Sequence, residues 1–176
     1  MNDRYDPDTV TGGKHYFIAT DGSCKGNPGR GGWGVVIQLR DGETIVKQRA
    51  LAGREMDTTN NRMELMAAIK GLERVREPLP IIVMSDSEYV IVNKTERMDK
   101  WKADGWRNSG GWVKNCDLWE ELDQLCQPLT IEWVWQRGHV GHDLNETADK
   151  LANKAALGKY PHGERSVKKA HPELFR

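Results

Sequence analysis

The chain has 176 residues, 26 Lys plus Arg against 26 Asp plus Glu, and a formal net charge of zero at neutral pH. That length is one domain's worth and enough to bury a core, while the balanced charge singles out no class of partner. Its opening residues, Met1 to Thr11, are polar and lack the apolar stretch of a signal peptide, and no run approaches the length of a membrane span. The three cysteines, Cys24, Cys116 and Cys126, are an odd number without metal-ligand spacing, so they read as free thiols in a reducing compartment rather than a disulfide framework. These features describe a soluble, cytoplasmic protein. The charge is unevenly placed. From Lys94 to Lys114 six basic residues stand against three acids, and from Lys159 to Arg176 five against two, so each segment carries +3. An acidic body with two basic appendages suits a metal site beside polyanion-binding patches, and equally suits ordinary charge scatter.

In chain order, residues 1–13 form a polar, unpatterned tail. Lys14 to Thr20 reads as a strand that stops on Asp21 and breaks into Gly22-Ser23-Cys24-Lys25-Gly26-Asn27-Pro28-Gly29. Gly31 to Arg40 and Glu43 to Ala52 form a hairpin around Asp41-Gly42. A helix follows over Thr58 to Val75, with Thr58 or Thr59 as cap and Leu65, Ile69 and Leu72 on one face. Pro80 to Ser85 is nearly continuously apolar, the pattern of a strand covered on both faces, and ends on Asp86. A basic, tryptophan-rich stretch runs from Arg97 to Trp112, and Asp117 to Cys126 reads as a helix. Thr130 to Trp135 is a last strand, Arg137 to His142 a loop, and Asp143 to Leu157 a last helix. Residues 14–158 then make one domain, and 159–176 a basic, disordered tail. The order of elements predicts an α/β fold with a mixed five-stranded sheet flanked by helices.

Asp21 and Asp86 each end an apolar strand. If those strands are parallel neighbours, both carboxylates emerge at one sheet edge, where ligands of open α/β sheets bind. Glu64 opens the first long helix and borders its apolar stripe, and Asp149 lies in the last helix. Taken singly, each has a plainer account, as turn opener, helix-start acid or surface charge. Four acids at one edge cannot all stay ionised without a counter-charge. Hard divalent cations with oxygen ligands supply one, and a pair of them can drive phosphodiester cleavage. His139, in the loop Gly138-His139-Val140-Gly141-His142, is placed to carry a proton.

Four motifs together resemble type 1 ribonucleases H: Thr20-Asp21-Gly22-Ser23-Cys24 with Gly26-Asn27-Pro28-Gly29; Thr58-Thr59-Asn60-Asn61-Arg62-Met63-Glu64-Leu65; Ser85-Asp86-Ser87 with Tyr89-Val90; and Gly138-His139 with Gly141-His142, Asn145-Glu146 and Asp149. They come in the family's order and span residues 14–157. The resemblance implies a ribonuclease H-like fold and Mg²⁺-dependent cleavage of the RNA strand of RNA–DNA hybrids, with Mn²⁺ as a substitute and 5′-phosphate and 3′-hydroxyl products. It implies Asp21, Glu64, Asp86 and Asp149 as metal ligands and His139 as a mobile proton shuttle. Glu146, one turn from Asp149, could reach the same edge; the family pattern favours Asp149.

The resemblance also implies substrate contacts. Telling RNA from DNA requires contact with a 2′-hydroxyl, and an Asn amide can both donate to it and accept from it. Asn27, Asn60 and Asn61 match positions that read the shallow groove, and Cys24 and Thr59 match positions near the DNA strand; local cap and turn chemistry is the competing account. Glu88 stands where the family often has Gln, so it can only accept, and it adds negative charge beside the metals. The tryptophan-rich stretch resembles the family's basic protrusion, diluted by Asp99 and Asp104, with Trp101 read as local core and Trp106 and Trp112 open to either role. The expected protein is a monomer. A catalytically silent hybrid-binding module would have no reason to hold four acids beside a polyanion, and a DNA-directed nuclease of the same fold fits the Asn60-Asn61 pair poorly.

Overall fold

The computed structural model describes residues 12–136 and 143–176. Its centre is a five-stranded sheet in the order β3-β2-β1-β4-β7. The strands are β1 (Lys14–Lys25), β2 (Gly29–Asp41), β3 (Thr44–Thr58), β4 (Ile81–Ser85) and β7 (Ile131–Trp135). β1 pairs antiparallel with β2, and β2 with β3, while β1–β4 and β4–β7 are parallel. The expected mixed sheet is therefore present, with Asp41-Gly42 turning the β2–β3 hairpin and Gly42 at φ +58°. β3 runs six residues beyond its expected end at Ala52, because Gly53–Thr58 extend the pairing with β2 through the backbone; Met56 is their one large apolar side chain, so no apolar alternation reveals it.

The two faces of the sheet are covered separately. Ile18, Val35, Ile37, Leu51, Ile81 and Val83 pack under α1 (Asn60–Leu72) and α4 (Cys116–Cys126) with Leu65, Ile69, Trp119 and Leu122. On the other face Phe17, Ala19, Ile82 and Met84 form a second layer with Val134 and Leu144. The alternation Ile81/Val83 against Ile82/Met84 is why β4 reads as an unbroken apolar run: both its faces are dry. α1 is two residues shorter at its start than the apolar pattern suggested, because Thr58 closes β3 and Thr59 is the cap, accepting from the Arg62 N–H at 3.3 Å.

α5 (Asp143–Ala156) lies directly on β2. A Cβ on Gly32 or Gly34 would collide with backbone atoms of Ala148, Ala152 and Ala156, so glycines on the strand and alanines on the helix together allow backbone-to-backbone approach. Between β4 and α4 the chain forms α2 (Glu88–Val92), a π-turn over Asn93–Arg97, α3 (Met98–Ala103) and a small hairpin of β5 (Arg107–Asn108) and β6 (Gly111–Trp112). Trp101 is edge-on to the buried Trp119 with ring centres 5.7 Å apart, in keeping with a core role.

Residues 159–176 do not form the expected disordered tail. They fold as α6 (Glu164–Ala170) and a 3₁₀ turn over Pro172–Leu174. Tyr160 and Val167 are buried with Val36, Ala50, Leu151 and Ala155, and Leu174 and Phe175 pack against them. Gln48 and Arg176 exchange backbone hydrogen bonds of 3.3 and 3.0 Å, and Glu164 receives a bidentate Arg49 at 2.7 and 2.6 Å. The segment covers the outer edge of β3, which an open sheet must protect. Its few apolar residues show no periodicity by themselves, so their partner becomes visible only in the folded chain.

The glycine–alanine seam yields a stability prediction. Gly34→Ala forces α5 off the sheet and lowers unfolding free energy in a urea titration by about 1–3 kcal/mol. Gly110→Ala, on the exposed hairpin turn where a Cβ meets only an ordinary contact, changes it by less than about 0.5 kcal/mol.

Candidate functional site

The β1–β4 register decides the first half of the site. Thr20 pairs with Ser85 in parallel, so Asp21 and Asp86, each next along the chain, come out side by side where β4 ends. β1 does not stop on Asp21 as expected: it runs on to Lys25, because Gly22–Lys25 pair through their backbone with Arg30–Trp33 of β2. Asp86 is fixed through its backbone: its carbonyl accepts from Trp135 Nε1 at 3.2 Å. The residue after it, Ser87, donates its N–H to Ser85 Oγ at 3.0 Å and caps α2. Glu64 arrives from α1, and Gly22 brings it close. A Cβ at Gly22 would clash with the Met63–Glu64 backbone, so the first turn of α1 rests on bare β1 main chain. Gly22 N–H also donates to Asp21 Oδ1 at 2.9 Å. Arg62 ties the same turn to α4 through a bidentate pair with Asp117 at 2.9 and 2.8 Å.

One carboxylate oxygen from each of Asp21, Glu64 and Asp86 lies within 4.8 Å of the others. Asp21 and Glu64 are only 4 % and 5 % exposed. Burial first, then the charges of Glu64 and Asp86, pushes the Asp21 carboxyl far above the usual carboxylate range. Glu64 is raised as well, again chiefly by burial and then by Asp86. Asp149 comes from α5 on the opposite face of the sheet, and its carboxyl engages that of Asp21. Asn153, one turn further along α5, holds Asp149: its Nδ2 donates to the Asp149 carbonyl and to Asp149 Oδ1, both at 3.0 Å.

The donor set is all oxygen, which suits a hard divalent cation. Glu64 Oε2 fits that reading independently: it is buried without a hydrogen-bond partner among the described residues, and such an acceptor is expensive to leave unmatched. Asp21, Glu64, Asp86 and Asp149 would hold the cation. His139, the expected proton carrier, lies outside the described residues.

The expected substrate contacts fall into two groups. Asn27 and Asn60 are exposed and joined by an Asn60 N–H to Asn27 Oδ1 hydrogen bond of 3.1 Å, with Asn60 at the start of the helix that carries Glu64. Asn61 is half-buried next to them, Thr59 is occupied as the α1 cap, and the half-buried Cys24 donates its thiol to the Thr58 carbonyl at 3.4 Å. Asn27 thus also serves as a local cap, with its amide nitrogen left to other partners. Glu88 is exposed at the start of α2, two residues from Asp86. Of the two tryptophans left open to either role, Trp106 is half-buried against the core, at φ +63°. Trp112 is the exposed ring, 61 % accessible, with the Arg107 guanidinium 4.0 Å from its centre.

The residues that the sequence pattern did not single out are Gly22, Arg62 and Asn153. Gly22 and Arg62 lie inside the quoted motifs without a role of their own there, and the signal at Asn153 is its i,i+4 spacing from Asp149.

The model of the RNase H family matches residues 13–157. The chain belongs to the ribonuclease H family. A curated relative named Ribonuclease H from Jannaschia sp. is 48 % identical over 147 residues, covering 83 % of this chain and 93 % of the relative. Another of that name from Dinoroseobacter shibae is 50 % identical over 139 residues, covering 78 % and 88 %. Among solved structures, LC9-RNase H1, described as a type 1 RNase H with the type 2 active-site motif, superposes with a TM-score of 0.74 at 34 % identity, covering 83 % of this chain and 74 % of that one. A second, LC11-RNase H1 in complex with RNA/DNA hybrid, shares the fold with a TM-score of 0.58 at 22 % identity, covering 81 % and 97 %. The family match stops at residue 157, so α6 and the β3-edge cover lie beyond it.

The crowded acids give a pH prediction. A carboxyl raised in the folded state contributes stability below its unfolded pKa, about 4, and loses that contribution as pH rises through its folded value. In EDTA, Asp21→Asn therefore raises Tm relative to the parent chain, by little near pH 4 and by several degrees at pH 8. Adding millimolar Mg²⁺ narrows the gap by stabilising the parent alone. Differential scanning fluorimetry across pH checks both effects.

Proposed function

We propose that this chain hydrolyses the RNA strand of RNA–DNA hybrids, leaving 5′-phosphate and 3′-hydroxyl ends, with Mg²⁺ as its working cation and Mn²⁺ as a substitute. The observation that carries the reading is the convergence of Asp21, Glu64 and Asp86 where β4 ends beside β1, with a buried Glu64 oxygen that has no hydrogen-bond partner among the described residues. When bound there, divalent cations act as Lewis acids on the phosphodiester and raise the acidity of bound water. The acids hold that charge in place, and the low exposure of Asp21 and Glu64 keeps bulk water from screening it.

His139 is assigned the proton transfer by its place in the Gly138–His142 motif. Asn27, Asn60 and Asn61, gathered around the first turn of α1, supply amides that can both donate to and accept from a 2′-hydroxyl. The Arg107–Trp112 pair on the β5–β6 hairpin is suited to phosphate and sugar contact along the same duplex. Glu88 accepts only, and its substitution by Gln is expected to tighten hybrid binding by removing a charge near the phosphates. The protein is read as a monomer working in the cytoplasm, in line with three unpaired cysteines; among the described residues no helix is long and apolar enough to cross a membrane.

An end-labelled hybrid, a DNA duplex and free single-stranded RNA, each incubated with Mg²⁺, test the reading. Only the RNA of the hybrid is expected to be cut, with EDTA abolishing cleavage and Asp86→Asn lowering it by at least about a thousandfold. Hybrid binding without cleavage at any Mg²⁺ or Mn²⁺ concentration would overturn it in favour of a binding module, and cutting of the DNA duplex would redirect it to another nuclease. In the same assay, Arg107→Ala raises KM several-fold with kcat unchanged and makes the salt dependence of binding shallower by about one unit of slope.

A further inference from the structure

We infer that Asn153 is a positioning residue for catalysis: its side-chain amide spans from β1 to Asp149 and fixes which oxygen of Asp149 is left to face Asp21 and a divalent cation. The inference rests on the reading of Asp149 as a ligand. Its own support is a chain of four hydrogen bonds. Ser23 Oγ donates to Asn153 Oδ1 at 2.8 Å, and Lys25 Nζ donates to the same oxygen at 2.9 Å. On the other side, Asn153 Nδ2 donates to Asp149 O and Oδ1 at 3.0 Å.

The direction of the amide follows from its neighbours. An ammonium has only protons to give, so the atom facing Lys25 must be the oxygen; the Asp149 backbone carbonyl only accepts, so the atom facing it must be the nitrogen. Each end therefore selects the same orientation. An amide is the side chain suited to this place, because it presents an acceptor to β1 and a donor to α5 at once. An Asp would repel Asp149, and an Arg or Lys would repel Lys25.

Ser23 is two residues from Asp21 on β1, and Asn153 is one helical turn from Asp149 on α5. The amide thus ties together the two segments that carry mutually repelling carboxyls. Asp149 itself is only half-buried, so packing alone leaves its rotamer loose. With Oδ1 occupied by a charge-assisted bond, the other oxygen is presented in one direction. Groups that hold a metal-binding carboxylate in this way typically account for about 10–100-fold in metal affinity or activity.

The test uses the full chain and four proteins: the parent, Asn153→Ala, Asn153→Asp and Asp149→Asn. Mn²⁺ affinity without nucleic acid is read by calorimetric titration, and single-turnover hybrid cleavage is followed against Mg²⁺ concentration. Asn153→Ala is expected to weaken Mn²⁺ binding and slow cleavage by about 10–100-fold, with hybrid KM within about twofold. Asn153→Asp keeps the acceptor for Ser23 and Lys25, and so keeps the tie to β1, but loses the donor to Asp149. It is expected to lose as much as Asn153→Ala, although its charge alone would draw a cation in. Parent-like affinity and rate in Asn153→Asp would overturn the inference, leaving the side chain a structural tie only; so would parent-like values in Asn153→Ala. Full cleavage by Asp149→Asn would instead bring down the ligand reading on which the inference stands. Should Asn153→Ala fail to fold, Asn153→Asp, with its β1 contacts intact, carries the decision.

Discussion

Like-charge repulsion where β4 ends beside β1 is the constraint around which the molecule is built. Asp21, Glu64 and Asp86 offer oxygens within 4.8 Å of one another, two of the three side chains are buried, and a fourth acid approaches from α5. Removing carboxylates from water costs several kcal/mol each, and crowding adds to that cost. A pliable scaffold would relieve it by moving apart. This one cannot, because the strands under the acids are the driest part of the fold: β4 is buried along its whole length, and Phe17, Ile18 and Ala19 of β1 are fully buried. The repulsion that rigidity preserves is available to a cation and through it to a polyanionic substrate.

Two helices reach the same strand end from opposite faces, and the same device allows both. Gly22 lets the first turn of α1 rest on β1, and Gly32 and Gly34 let the alanine stripe of α5 rest on β2. In each case the absence of a side chain shortens the distance between a helix and the sheet, and an acid travels with the helix. The polar ties are laid over this contact rather than in place of it. Arg62 joins α1 to α4, and Asn153 joins α5 to β1.

The two basic segments have opposite fates. Lys94–Lys114 projects as short helices and a hairpin, with Arg107 stacked on an exposed Trp112 and the other tryptophans turned inward against Trp119 and the core. Residues 159–176 fold back over the β3 edge, where Val167 is buried and Glu164 takes up Arg49. Equal net charge therefore says little about placement: the first segment keeps Trp112 and Arg107 at the surface, whereas the second closes a sheet edge outside the span that matches the family.

The sequence by itself determined the sheet and the identity of the acids. Apolar runs that lead into Asp21 and Asp86 are local statements about strands, although pairing with β2 carries β1 past Asp21 to Lys25, and the Asn60–Glu64 cluster marks a helix start by cap chemistry that acts over four residues. Such signals survive in a linear chain because their causes are short-ranged. Tertiary structure alone decided the rest. Whether Asp21 and Asp86 share an edge depends on the Thr20–Ser85 register. Whether Trp106 or Trp112 meets solvent depends on a positive-φ turn packed against distant leucines. Whether a basic segment dangles or docks depends on apolar partners more than a hundred residues away, such as Val36 and Ala50 for Val167. Burial, register and the tie of Asn153 to Ser23 and Lys25 are all relations between residues far apart in the chain, and they come into being only when the chain closes on itself.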